Sequence, residues 1–144
     1  MRNIQIQVLD HNASSQWWKN LISLFLKEGH AFEIRCWNEE QDEIAMAAAF
    51  DNSSPKTEGF ETSVVGEISS DMIYKLTTLP KPRDKQNYNK MTPFFTINIA
   101  PHFHSEHYGT EVFLCNLTSD EVVQVKNIIA LYRHSFNITT VEAE

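Results

Sequence analysis

Glycine and cysteine are scarce in this chain, and long apolar runs are missing. Its four glycines, Gly29, Gly59, Gly66 and Gly109, stand far apart. None forms the glycine-rich turn that cradles a phosphate, so the common nucleotide motifs are excluded. The two cysteines, Cys36 and Cys115, lack metal-ligand spacing. Both sit in strand-like runs, where cysteine serves as a small buried side chain. No run of eighteen apolar residues is available to cross a membrane as a helix. Neither an HExxH pair nor a Gly-x-Ser-x-Gly elbow is present, so no catalytic signature stands out. Bases are the scarcer charge: 12 Lys and Arg against 19 Asp and Glu give a formal net charge of −7.

What is present fits one globular domain. At 144 residues, with 42% hydrophobic and 22% charged side chains, positions 1–144 can bury a real core. The opening Met-Arg-Asn-Ile-Gln-Ile-Gln alternates like a strand and lacks the apolar block of a signal peptide, so the expected address is the cytoplasm. The acidity is regional. Glu39 to Asp71 holds nine acids and one base, Lys56, a net of −8, which leaves +1 for the rest. That band disfavours direct contact with nucleic acid and favours a basic protein surface.

The centre of the chain is Thr92–Leu117. Phe95, Ile97 and Ile99 alternate with Thr96 and Asn98 as in a half-buried strand, and Val112–Cys115 form a second apolar run. Pro101 and Gly109 bound the loop between them, so the pair reads as a long hairpin at the centre of a sheet. Strands are also predicted at Asn3–Leu9, His30–Trp37, Phe60–Ile68 and briefly after Phe136. Val-Glu-Ala-Glu is a tail.

Helices are predicted at Ser15–Glu28, at Ser70–Leu79 behind a serine cap, and from the Thr118-Ser-Asp-Glu121 capping box to about His134. The adjacent Trp17 and Trp18 belong to the core face of the first. Asn38–Phe50 is ambiguous: its alanines and leading acids favour helix, while Ile44, Met46, Ala48 and Phe50 alternate as in a strand. Strand–helix–strand at the start predicts two parallel strands joined by a right-handed crossover. The expected fold is α+β: a mixed five- to six-stranded sheet with three to four helices mainly on one face. Asp51–Gly59 is expected to be a loop, and Lys81–Met91 a basic polar connector.

Two groups of residues are candidates for function. The first is the acidic band, with Glu39, Glu40, Asp42, Glu43, Glu58 and Glu61 as partner contacts. The second is the loop His102, His104, Glu106, His107 and Tyr108, whose histidine, tyrosine and glutamate content suits mixed polar and aromatic contacts. His102, His104 and His107 with Glu106 also offer ligand types for zinc, although the His-x-His-x-x-His pattern lacks the framework of a known site. A metal-dependent or small-ligand enzyme using the His102–His107 loop is therefore the alternative reading. No cofactor or metal is assigned.

Asn89-Lys-Met-Thr-Pro-Phe-Phe95 and His107-Tyr-Gly-Thr-Glu111 resemble small bacterial immunity proteins of polymorphic-toxin and contact-dependent growth inhibition systems. The resemblance implies a cytoplasmic, non-enzymatic protein that binds and blocks one cognate toxin domain, often a nuclease. Such families share no catalytic motif, so no residue role is carried over. A nuclease presents a basic surface to its phosphate substrate, and an acidic inhibitor suits that surface.

Overall fold

Alternating apolar residues settle which way most of the strands face. In the computed structural model, which describes residues 2–83, 89–133 and 138–143, the strands are β1 (Arg2–Val8), β2 (Ala31–Trp37), β3 (Lys56–Glu58), β4 (Glu61–Glu67), β5 (Thr96–Ile99), β6 (Phe103–Glu106), β7 (Glu111–Leu117) and β8 (Ile138–Ala143). The helices are α1 (Gln16–Ile22), α2 (Gln41–Ala49), α3 (Ser70–Thr78) and α4 (Ser119–Ala130). The fold is α+β, built on one sheet of order β3-β4-β2-β5-β6-β7-β1-β8.

Among the described residues every pairing is antiparallel, and eight strands replace the five or six expected in a mixed sheet. β1 and β2 do run in the same direction, but β5, β6 and β7 lie between them, so the predicted parallel pair does not form. The helical crossover carries the chain across the sheet and leaves a gap that later strands fill. The stretch read as one long hairpin is a three-stranded meander at the sheet centre: Phe103–Glu106, taken as loop, is β6. The turn before it contains a cis Ala100–Pro101 bond.

One face of the sheet is dry. Ile4, Ile6 and Val8, Phe32, Ile34 and Cys36, Val64, Ile97, Ile99, Phe103, Val112 and Leu114 are all buried on it. Trp17, Trp18, Leu21 and Ile22 of α1, Met72 and Leu76 of α3, and Val122, Val125 and Ile129 of α4 join the same core. Burying each large apolar side chain contributes on the order of 2 kcal/mol, so this layer fixes the fold. Ser105 is a fully buried polar side chain there, and it accepts a 3.0 Å bond from the Trp18 indole N–H. Among the described residues no helix packs on the other face, which mixes polar side chains with exposed apolar ones such as Val65 and Val141.

The local rules hold where caps are strong. Ser69 accepts from the Met72 N–H, and Thr118 and Glu121 form the reciprocal capping box. α2 is helical: Ile44, Ala47 and Phe50 are buried at three-residue spacing, and Asp42 and Glu43 sit in its first turn. α1 stops at Ile22, earlier than predicted. Tighter bonds from Leu24 N–H to Leu21 and Phe25 N–H to Ile22 follow, and they bring both Phe25 and Leu26 into the core.

Other boundaries shift. Lys56–Glu58, within the predicted loop, forms the edge strand β3 on β4. Val65 points out at 60% exposure, and Thr62 and Ser63 are buried instead. The tail predicted after Thr140 continues β8 along β1 as far as Ala143. Phe136, His134, Asp84 and Lys85 lie outside the described residues. No helix among the described residues is long and apolar enough to cross a membrane.

Candidate functional site

Most of the predicted site residues fall in two places. The first is a groove of about 1430 Å³ at one end of the sheet. The end of β1 with Leu9 and His11, Trp37 at the end of β2, the start of α2, the segment around Asn89–Phe95 and the β6–β7 turn enclose it. Six predicted residues meet here: Glu39, Glu40, Asp42, Glu43, His107 and Tyr108.

Local geometry explains how they arrive. His107 and Tyr108 are the central residues of the turn closed by the Gly109 N–H on the Glu106 carbonyl at 3.0 Å. Both have positive φ, 50° and 58°, as in a type I′ hairpin turn. Non-glycine residues pay roughly 1 kcal/mol each for that backbone region, so the surroundings must hold them. They do. The N–H groups of Met91 and Thr92 donate to the Tyr108 carbonyl at 2.7 and 3.2 Å, and the Tyr108 N–H donates to the Phe95 carbonyl at 3.1 Å. Gly109 follows at φ 86°, against Trp18 and Met91, where a Cβ would stand 2.8 Å from the Trp18 indole nitrogen. The segments Asn89–Phe95 and His107–Glu111, far apart in sequence, thus lie side by side.

An aromatic row floors the groove. Trp37 and Phe95 rings lie 4.8 Å apart, and Phe95 meets Tyr108 edge-on at 5.2 Å. The Tyr108 hydroxyl donates to Glu40 Oε2 at 3.0 Å, while Glu40 Oε1 accepts from the Trp37 N–H at 2.8 Å. Lys90 Nζ stands 4.2 Å from the Tyr108 ring centre, a cation over an aromatic face. Glu39, Asp42 and Glu43 line the same groove and form no ion pair among the described residues. Basic side chains also line it, with Arg83 and His11 among them.

The second place is the uncovered face of the sheet, where Glu58 and Glu61 lie beside Arg35 at 3.5 and 3.2 Å. Arg35 also bonds Glu33 at 3.0 Å. Glu33 in turn accepts from the Ser63 hydroxyl at 2.7 Å and from Asn98 Nδ2 at 3.1 Å. Because that carboxylate can only accept, the Asn98 amide is oriented, and its Oδ1 accepts from His104 Nδ1–H at 3.1 Å. His104 therefore carries its proton on Nδ1 within a chain of polar contacts spanning five strands, from Glu58 of β3 to β6. Burial opposes charge on Glu33, but bonds from Ser63, Asn98 and Arg35 together outweigh it and hold the carboxyl below its usual range. Arg35 is shifted up: burial opposes its charge, and Glu33 and Glu61 overcome that.

The three histidines do not converge. His102 precedes β6 and its Nδ1 lies 3.0 Å from the Cys115 carbonyl; His104 is within β6; His107 is beyond it and 3.1 Å from Glu111. At roughly 3.3 Å per residue along a strand, His102 and His107 stand at opposite ends. The His-x-His-x-x-His ligand set is thus corrected by the β6 strand that the sequence concealed. Glu106, His107 and Glu111 are a different group, with one ligand atom from each within 4.8 Å of the others. A divalent cation could be held there.

Cys36 is fully buried, and its thiol is pushed up to about 12, first by burial and then by the Glu40 and Glu43 charges, which makes it a poor nucleophile. Cys115, expected to be buried, is half-buried on the uncovered side. Lys81 of the basic connector donates to the His11 and Ala13 carbonyls at 3.0 and 2.7 Å and serves as an anchor.

Sequence reasoning missed Trp37 and Phe95 as members of the groove. Trp37 and Phe95 read as strand residues, and their only sequence signal is that an aromatic closes one run and opens another. Comparison with protein families, curated proteins and solved structures finds no match.

Proposed function

We propose that the chain is a protein-binding inhibitor that seats a basic partner surface in the groove at the end of its sheet. In the terms of the resemblance, it is an immunity protein acting in the cytoplasm, and the partner is a cognate toxin domain, a nuclease by the chemistry of the match. The observation that carries this reading is the groove wall: Glu39, Asp42 and Glu43 face an open volume beside exposed aromatic surface, without internal counter-ions among the described residues. Unpaired carboxylates around aromatic rings suit arginine- and lysine-rich surfaces, where charge speeds encounter and the aromatics supply contact area. Such a protein acts by covering, so no reaction centre is needed for it to work.

The test is co-expression with the product of the adjacent gene. The expected result is a co-purifying complex and rescue of growth when that product is toxic. Lack of both overturns the immunity reading.

A further inference from the structure

We propose that the aromatic floor of the groove is a seat for a single guanidinium group from the partner, and that Lys90 fills part of it in the free protein. This rests on the reading of the groove as a docking face and names the chemistry that enters it. The Tyr108 ring already holds one cation over its face, the Lys90 ammonium at 4.2 Å. That contact shows the field at this position to be favourable to positive charge. The ring cannot swing away. Its hydroxyl is tied to Glu40 at 3.0 Å, its edge meets Phe95, and its backbone is bonded on both sides to the 91–95 segment.

Glu40 is spent on that tether and on the Trp37 N–H, whereas Glu39, Asp42 and Glu43 retain their acceptor capacity. A guanidinium fits this combination better than an ammonium. It is planar and stacks on a ring while its N–H fork bonds a carboxylate. Lys90, a half-buried side chain of this chain, is a resident competitor that an incoming arginine must displace or share space with.

Titration of the isotopically labelled full chain with acetyl-Gly-Arg-Gly-amide, followed by NMR, tests this. The expected result is saturable shifts of the Trp37 indole and Tyr108 signals, with none from the norleucine counterpart. Lys90→Gln should tighten binding of the arginine peptide by roughly fivefold, because it removes the cation that stands over the ring and repels a second one. Tyr108→Leu should abolish it; if that variant does not fold, Lys90→Gln carries the test. No saturable shift with the wild-type chain overturns the seat. A lysine peptide that binds as well as the arginine peptide overturns the guanidinium assignment, and weaker binding by Lys90→Gln overturns the role given to Lys90. No toxin domain enters this titration. Arginine binding with failed growth rescue would refute the immunity reading alone, and rescue without arginine binding would refute the seat alone.

Discussion

The uncovered face of the sheet and the groove at its end draw acids from the same band of sequence and use them in opposite ways. On the face, Glu58 and Glu61 are gathered with Glu33 around one arginine, Arg35. In the groove, Glu39, Asp42 and Glu43 line open space with no ion pair among the described residues. The first arrangement satisfies itself, and the second leaves charge available to a partner. The acids of Glu39–Asp71 therefore do not form one surface: Glu58 and Glu61 face Arg35, Glu39, Asp42 and Glu43 line the groove, Asp51 accepts from the Glu67 N–H, and Asp71 pairs with Lys75. The predicted contacts Glu58 and Glu61 fall on the structural side.

The largest expected effect breaks the groove itself. Gly109→Ala forces a Cβ to 2.8 Å from the Trp18 indole nitrogen at a φ of 86°, which L side chains rarely adopt. It should destabilise the protein by about 2–4 kcal/mol, read from urea unfolding, because neither the indole nor the turn can give way cheaply. Arg35→Met comes next. It leaves Glu33, Glu58 and Glu61 clustered without their cation and should cost about 1–2 kcal/mol at neutral pH, discounted for the partial exposure of the group.

Glu33 gives this region a pH signature. Its carboxyl is lowered from 4.5 in the folded protein, so its contribution is complete above pH 4.5 and is lost as pH falls through the lowered folded value. Glu33→Gln should cost about 1 kcal/mol at pH 7 and flatten the acid limb of a stability–pH curve measured by urea midpoints. The smallest effect on stability belongs to the carboxylates that line the groove. Replacing Glu39, Asp42 and Glu43 by their amides should change the unfolding free energy by less than about 1 kcal/mol, most of it from the lost interaction with the α2 dipole.

Much of the frame was legible because local and global preferences agree. Ile4, Ile6 and Val8 alternate, and they are buried together; the Thr118–Glu121 box starts α4; the Trp17–Trp18 pair lies in the core. β6 was not legible, since Phe103-His-Ser-Glu106 carries only one large apolar residue. Its second inward position is Ser105, acceptable there because Trp18 donates to it from a distant helix, and no local pattern announces such a partner. Missing that strand made three histidines look like one cluster. Strand order was hidden for a similar reason: β1 and β2 are close in sequence, yet β5, β6 and β7 come between them. The groove was half visible. Its acids stand in one run, but Tyr108 reaches Glu40 only once the meander folds against α2.

Association kinetics with the proposed partner protein, followed by stopped flow at low and at physiological salt, address the division between the two regions most directly. Amides at Glu39, Asp42 and Glu43 should slow association about tenfold at low ionic strength and flatten its salt dependence, while amides at Glu58 and Glu61 should leave the rate within about twofold. Equal slowing by both sets, or slowing only by the Glu58 and Glu61 pair, would contradict the assignment of the groove as the docking face.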